Sequence, residues 1–434
     1  METTRRALFA LMALTIALLA SEASAGDLKW KKHDINPESP FEAAGAFDVD
    51  NDGILDIVCG EWWYKGPDFQ QKSKVRDVEQ AGTYRNCFAT LPVDVNADGH
   101  MDFFTCSYFG RNVGWVENPG KAGEPWTYHE IDLPGTSEAA WMVDLTGNGQ
   151  LDFLPNPTNQ VVFYELVRGG TAPVWKKYDF GAEAACHGVG TGDINGDGRL
   201  DLLTPKGWFE APESLPKSGT TVSTPGGSVS IGVEAEQELL TESNPGWTWH
   251  PEWTLGGTGI QILARDFDGD GLTDVVWGMG HQYGLYWMRQ EQGPDGQRTW
   301  ADPIEIDPKA HQVHTLLWAD LNGDGKAEEL VTGTRVYGHE VEPGDTDAPE
   351  IAYYTFDRDA GAWNKHLIYQ GEPATNAPPV ERRQERDAQK DFPKGTAGTG
   401  LQMMAIDLNG NGRLDLLCPG KSGLYWFENL GGEN

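Results

Sequence analysis

A chain of 434 residues with 66 acidic and 33 basic side chains carries a formal charge of −33. That balance leaves no basic face for nucleic acid or anionic lipid, and makes a strongly anionic polysaccharide a poor partner. No long stretch has the 3.6-residue apolar period of a helix, so the chain reads as all-β.

The chain begins with a predicted leader at 1–25. Arg5 and Arg6 precede an apolar run at 8–20, and Ala23, Ser24 and Ala25 form a small-residue cleavage site. The run is short for a membrane span. Export to the periplasm or the outside is therefore expected, with no membrane insertion by the mature chain, residues 26–434.

A nine-residue acidic loop then recurs seven times, starting at Asp48, Asp94, Asp144, Asp193, Asp266, Asp320 and Asp407. Position 1 is always Asp. Positions 3 and 5 carry Asp, Asn or Thr, position 6 is Gly, and position 9 is Asp or Glu. Short oxygen side chains at alternate positions of a sharp turn suit Ca²⁺, which prefers six to eight oxygen ligands. The expected ligands are Asp48, Asp50, Asp52 and Asp56, then Asp94, Asn96, Asp98 and Asp102, then Asp193, Asn195, Asp197 and Asp201. They continue with Asp266, Asp268, Asp270 and Asp274, then Asp320, Asn322, Asp324 and Glu328, and finally Asp407, Asn409, Asn411 and Asp415. The Asp144 loop is the weakest, because Thr146 and Asn148 replace two carboxylates; the Asp407 loop is also weak.

Short apolar runs flank each loop, such as 260–265 before and 274–278 after. An aromatic run follows, and a fourth segment that usually starts with Trp, as at 126–131, 175–180, 300–306 and 363–368. Four strands per unit predict propeller blades. After the last loop one strand remains, at 423–429. The segment at 30–35 would pair beside it and close a seven-bladed ring without a free terminal edge. Insertions are expected at about 212–245, 338–350 and 371–398, as disordered segments or functional lids. Cys87 and Cys106 flank the second loop and could bridge; buried free thiols are the alternative for all five cysteines. The 17 Trp fit blade cores, with some available to stack on sugars. The repeats resemble the FG-GAP (VCBS-type) propellers, including the calcium-loop blades of integrin α-subunits. The resemblance implies a seven-bladed, calcium-binding β-propeller over about 27–434.

In propellers of this type the strand before each loop is innermost, and its start lies at the upper mouth of the ring. The residue six places before each loop is Glu42, Phe88, Glu138, His187, Ile260, His314 or Leu401. Two Glu and two His at one ring level mark a candidate site. Residues just past the second strand add Glu61, Asn156, Lys206, His281, Arg335 and Lys421, with His311 and His339 close in sequence. Neutral imidazoles suit Zn²⁺ or a similar ion, which polarises a carbonyl and acidifies the neighbouring C–H. His187, His281 and His314 are the expected ligands. Glu138 is the expected base or fourth ligand, and Lys206 and His339 would act on the substrate. Glu42, Glu61, Arg335 and Lys421 would bind it. Paired carboxylates such as Glu42 and Glu138 leave a hydrolase open.

The segments 186–212, 278–288 and 314–340 resemble the propeller of the fungal aldos-2-ulose dehydratase family. That resemblance implies a metal-dependent carbohydrate lyase or dehydratase that eliminates from a keto-sugar or keto-glycoside. The family also carries cupin domains, for which these 434 residues are expected to leave no room, so any isomerising activity due to them should be missing. The alternative is a non-catalytic calcium propeller that binds glycan or protein.

The loops give the first prediction. Ions that bind only the folded state stabilise it, and crowded carboxylates repel one another without them. Chelation should lower the melting temperature markedly, and Asp270→Ala should cost more stability than Asn148→Ala. Melting curves with and without chelator check both; indifference or the reverse order would mean that blade packing alone holds these turns.

Overall fold

The computed structural model describes residues 28–121, 123–167, 172–214, 238–243, 246–338, 342–375 and 391–432. The leader at 1–25 and His339 lie outside these residues. The described residues form strands and turns without a helix.

The strands assemble into antiparallel meanders that radiate from a ring of inner strands, a β-propeller. Five sheets stand alone as blades. Their inner strands are Ala44–Phe47, Leu91–Val93, Ser137–Val143, Val313–Ala319 and Met404–Ile406. This corrects the expectation of seven separate blades. The two remaining meanders run together as one eight-stranded sheet, because Val189–Gly192 pairs in parallel with Thr258–Arg265. Two glycines permit that approach. A Cβ on Gly190 would lie 1.9 Å from the Ile262 carbonyl oxygen, and one on Gly192 would lie 2.5 Å from the Ala264 Cβ. Without those side chains the backbones come within hydrogen-bonding distance.

Lys29–Asn36 pairs antiparallel with Gly423–Gly431, so the first and last described strands share one sheet. Glu238–Ser243, from the 212–245 insertion expected in the fourth unit, instead pairs in parallel with Val174–Asp179 as a fifth strand of the preceding blade. The segment expected as one strand at 300–306 is split. Trp300 ends a small hairpin, and the blade strand is Ile304–His311. All five cysteines are free, so the Cys87–Cys106 bridge does not form. Cys87 Sγ instead accepts from Thr105 Oγ1 at 3.8 Å. Burial pushes the Cys59 thiol up to about 12, which makes it inert.

Apolar layers between neighbouring blades hold the ring. Ala319, Val331, Ile351 and Tyr353 of one blade pack on Met403, Leu416 and Tyr425 of the next. Each such side chain contributes about 1.5–3 kcal/mol by leaving water. Gln402 adds a polar tie across three sheets. Its oxygen accepts from Thr90 N at 2.8 Å, and its amide donates to Ala44 O at 3.0 Å and Thr90 O at 2.9 Å.

The acidic loops are built alike. In all seven, the position-1 carboxylate accepts the amides of positions 5 and 6; on Asp48 these are Asp52 N at 3.0 Å and Gly53 N at 2.8 Å. The glycine at position 6 adopts the left-handed conformation, as at Gly53 (φ 84°), where an added Cβ would meet nothing. Backbone conformation rather than crowding therefore selects glycine there. The position-9 carboxylate turns into the blade. Asp102 accepts from Val95 N at 3.0 Å and Asn118 N at 2.7 Å, joining the loop to the third strand. Burial pushes Asp102, Asp152, Asp201 and Asp274 up to about 7. The Asp320 loop departs from the motif. Glu329, not Glu328, is buried and accepts from Leu321 N at 2.9 Å, while Glu328 faces Arg358 at the surface. One extra residue in that turn moves the inward carboxylate along by one.

Outer strands are tied by a second polar device. Asp307 accepts from Tyr354 OH at 2.8 Å and from Lys365 Nζ at 2.8 Å, both in the next blade. Asp132 does the same with Tyr164 and Lys177. Burial would raise both carboxyls, but the lysine and tyrosine partners outweigh it and hold them below the ordinary carboxylate value. A depressed carboxyl stabilises the fold above its unfolded pKa, and that contribution is lost as pH falls through the folded value. Asp307→Asn should therefore cost about 1–3 kcal/mol at neutral pH, and its deficit against the wild type should shrink below about pH 4. Thermal melts from acid to neutral pH check this; a deficit constant across that range would exclude the ion pair as its source.

Candidate functional site

The residues six places before the loops divide into an apolar group and a polar group. Phe88, Ile260 and Leu401 come from three sheets and pack with Ala139 and Ala140 in one apolar cluster. Glu42, Glu138, His187 and His314 form the polar group, joined by His281, Arg335 and Lys421.

Arg335 is the centre of that group and is fully buried. Its Nε donates to Glu42 Oε1 at 2.7 Å and its Nη2 to Glu42 Oε2 at 3.3 Å, a two-point pairing that fixes the guanidinium plane. Its Nη1 lies 3.5 Å from Glu138 Oε1. Lys421 Nζ donates to Tyr337 O at 3.0 Å, lies 3.9 Å from Glu42 Oε2, and stands 3.1 Å from the centroid of the Tyr84 ring. Two cations and two carboxylates therefore neutralise one another in a nearly dry setting. Lys421 and the Nε and Nη2 of Arg335, both expected to bind substrate, are engaged in this network, while Arg335 Nη1 has no hydrogen-bond partner.

The three histidines lie beside it. One ligand atom from each of His187, His281 and His314 falls within 4.8 Å of the others. Gly280 leaves room for the buried His314, since a Cβ there would stand 3.3 Å from the imidazole. His314 Nδ1 lies 3.1 Å from Gln312 O, which leaves Nε2 as the outward nitrogen. His187 has Nδ1 2.8 Å from Thr258 O and Nε2 2.8 Å from Glu138 Oε2. Both partners are pure acceptors, so both ring nitrogens donate and the ring is an imidazolium. Burial lowers its affinity for the second proton, but Glu138 more than offsets this and raises it. Burial and then the neighbouring His187 push His281 down to about 4, so His281 is neutral near pH 7 and fit to ligate.

The donor set fits a Zn²⁺-like ion. Nitrogens around such an ion sit about 2.0–2.1 Å from it, so the triad must close by roughly an ångström. His187 must also lose one of its two ring protons and the hydrogen bond made through it. Glu138, where burial is outweighed by Arg335 and His187, is held well below the usual carboxylate range and stays charged.

A cavity of about 120 Å³ opens beside this cluster, lined by Tyr84, Phe88, Tyr108, Phe109 and Glu138. Phe109 is 44% exposed and stands against Tyr84 and Tyr108, with ring centroids 5.3 and 5.1 Å away. Among the described residues no Trp is exposed, so the aromatic surface here is Phe and Tyr.

Three expected residues are placed elsewhere. Lys206 Nζ donates to Glu183 O at 3.1 Å and Ala185 O at 2.9 Å, bracing the segment before His187. Glu61 accepts Val78 N at 3.0 Å in its own blade. His311 is buried, with Nδ1 3.0 Å from Lys309 O. Sequence reasoning missed Tyr84, Tyr108, Phe109 and Glu342, whose Oε1 lies 3.8 Å from His281 Nδ1. Tyr108 was within reach of it. It stands two residues past strand Asp102–Cys106, as His281 stands two past Asp274–Met279.

An FG-GAP-like repeat family model matches residues 94–154 and 266–331, so the chain carries FG-GAP-like repeats over four of its acidic loops, those starting at Asp94, Asp144, Asp266 and Asp320. No curated protein matches the chain. Among solved structures, the exotype rhamnogalacturonan lyase YesX is similar at 11% identity and a TM-score of 0.44, over 93% of this chain and 73% of its own. An Agrocybe aegerita lectin that recognises non-reducing terminal N-acetylglucosamine is similar at 12% identity and 0.38, over 90% of each chain. Aleuria aurantia lectin, in complex with α-methyl-L-fucoside, is similar at 13% and 0.35, over 81% of this chain and 99% of its own. Likeness at this level says nothing of substrate or mechanism here.

The Arg335 network yields a prediction. Removing one partner of a buried ion pair strands the others without water, at a cost of about 3–5 kcal/mol. Arg335→Met should lower stability by that amount, and Glu42→Gln added to it should recover part of the loss. Denaturant unfolding of the single and double variants checks the coupling; strictly additive losses would mean the two groups act independently.

Proposed function

We propose that the protein is an exported, metal-dependent carbohydrate lyase or dehydratase that carries out β-elimination on a keto-sugar or keto-glycoside. The observation that supports it is the triad of His187, His281 and His314 next to a buried carboxylate and an aromatic-walled cavity. A divalent ion held by the three imidazoles would polarise the substrate carbonyl and acidify the C–H beside it. The chain's own residues do the rest. Glu138 lines the cavity and, once His187 turns a nitrogen away from it, is the carboxylate that takes that proton. The electron pair left on carbon forms the C=C bond while the C–O bond at the β position breaks. The leaving oxygen takes up the proton that Glu138 removed and departs as water or an alcohol, which restores the carboxylate, and no oxidant is required. Arg335 keeps Glu138 charged and in place, and neutral His281 stays free of a competing proton. Lys206, tied to two carbonyls, takes no part in this scheme; its work is to position the segment that carries His187.

The finer architecture belongs to the same reading. The eight-stranded sheet is taken as two fused blades, which makes seven in all, with Lys29–Asn36 completing the last of them. The propeller of the aldos-2-ulose dehydratase family is the model for this assignment. Structural calcium is proposed for the acidic loops, most tightly at Asp48 and Asp266, where three carboxylates each offer an oxygen within 4.8 Å of the others. There the ion would displace Lys65 from Asp50 and Asp52, and Arg289 from Asp268 and Asp270.

The non-catalytic binding propeller is favoured by one observation: both nitrogens of His187 are already satisfied by Thr258 and Glu138. Metal analysis after calcium-selective chelation separates the two. The enzyme should retain about one transition ion per chain and generate enone absorbance from 2-keto- or 3-keto-glycosides, and His281→Ala should abolish both. Calcium alone, with no enone from any of these substrates, would leave the binding propeller.

A further inference from the structure

We infer that one position at the end of the third strand tunes how the adjoining acidic loop holds a cation, a basic residue weakening the hold and an acidic one strengthening it; this rests on the reading of the loops as calcium sites. The backbone defines the position. In five blades the residue after it donates its amide to the inward carboxylate of the loop. Gly66 N lies 2.7 Å from Asp56 Oδ1, and Asn118 N is 2.7 Å from Asp102 Oδ1. Ala211, Gln290 and Asn429 do the same with Asp201, Asp274 and Asp415 at 2.9, 2.9 and 2.8 Å. The residue in front of that amide is Lys65, Glu117, Glu210, Arg289 or Glu428. Its charge follows the loop. Lys65 and Arg289 stand beside the two loops with Asp at position 3, and the three glutamates stand beside loops with Asn there.

The basic residues act as tethered cations. Lys65 Nζ donates to Asp50 Oδ2 at 2.5 Å and to Asp52 Oδ2 at 2.6 Å, the side chains of positions 3 and 5. Arg289 Nε lies 2.8 Å from Asp268 Oδ2 and its Nη2 3.5 Å from Asp270 Oδ2, at the same two positions. A cationic side chain on these oxygens competes with an ion for them and repels it. It also offsets the mutual repulsion of the carboxylates, so these turns stay closed when an ion leaves. The acidic residues do the opposite. Asn96 Nδ2 donates to Glu117 Oε1 at 3.1 Å, while Asn96 Oδ1 accepts from Asp98 N at 3.1 Å. Asn195 repeats this with Glu210 and Asp197 N, both at 3.1 Å. Asn409 does so with Glu428 at 3.2 Å and Asn411 N at 3.1 Å. A carboxylate only accepts and a backbone amide only donates, so the two contacts fix which way the Asn amide faces. Its carbonyl oxygen, the end that ligates Ca²⁺, is turned into the loop, and the glutamate supplies the negative charge that Asn lacks. Each glutamate is itself held from the adjoining outer strand by a histidine Nε2, 2.8 Å away at His33 and His129 and 2.9 Å at His250.

Melting temperatures of the full chain in chelator and in millimolar calcium test this. Lys65→Met should melt lower than the wild type in chelator, where Asp50 and Asp52 lose their counter-ion. It should then gain more from calcium, because its loop holds the ion about tenfold more tightly. Glu210→Leu should gain less than the wild type, because its loop holds the ion about tenfold more weakly. Lys65→Arg and Glu210→Gln, which keep the cation and the acceptor, should restore gains close to that of the wild type. A merely structural defect would lower the melting temperature equally in both media and leave the gain unchanged. That result, or a gain that moves the other way in either variant, overturns the inference and leaves the calcium reading standing. A wild type indifferent to calcium overturns the calcium reading and the inference with it. Neither a keto-glycoside nor a transition ion enters these melts, so the lyase reading stands or falls separately.

Discussion

Everything in this molecule hangs on a buried carboxylate at the foot of each acidic turn. The position-9 side chain, or Glu329 in the Asp320 loop, reaches into the blade, and in most blades it accepts one backbone amide from the start of its own loop and another from the third strand. That single group fixes where the first two strands of the meander turn and how the third returns. It also carries a cost, because burial lifts four of these carboxyls to about 7. A cation at the loop would offset that cost, which is the physical link between the acidic composition and the proposed calcium. The position-1 carboxylate closes the same turn by taking two amides, so the loop has a defined shape before any ion is considered.

At the opposite level of the inner ring the polar logic is different. Glu42, Arg335, Glu138 and His187 form a chain of charges that links three sheets to the imidazole cluster. Such a network favours one arrangement because any partial version leaves a charge without water or partner. Stability and the proposed chemistry are coupled here: the ion pairs that hold the inner strands also bear on the charge of Glu138 and the protonation of His187. Lys421 extends the coupling to Tyr84, and so to the cavity wall.

The candidate site was legible to the degree that ring position follows from sequence offset. Counting six residues back from each loop found Glu42, Glu138, His187 and His314, since each meander repeats the same strand and turn lengths. The same count could not separate these polar residues from Phe88, Ile260 and Leu401, which pack in an apolar cluster. Lys206 and Glu61 were misplaced because a side chain just past the second strand can turn to either neighbour. Lys206 turned to two carbonyls and Glu61 to an amide. Phe109 was missed because an exposed aromatic residue on a turn has no periodic signature.

By itself, then, the sequence determined the all-β class, the seven acidic turns and the identity of the polar ring residues, because each depends on local spacing and chemistry. Tertiary structure decided what those residues do. It fused two meanders through Gly190 and Gly192, where the absence of two Cβ atoms mattered only once another strand lay alongside. It shifted the inward carboxylate from Glu328 to Glu329, turned both nitrogens of His187 onto acceptors, and spent Arg335 and Lys421 inside the network. These outcomes depend on which groups from distant strands arrive at the same few ångströms, and that distance is set by packing across blades, which no local pattern encodes.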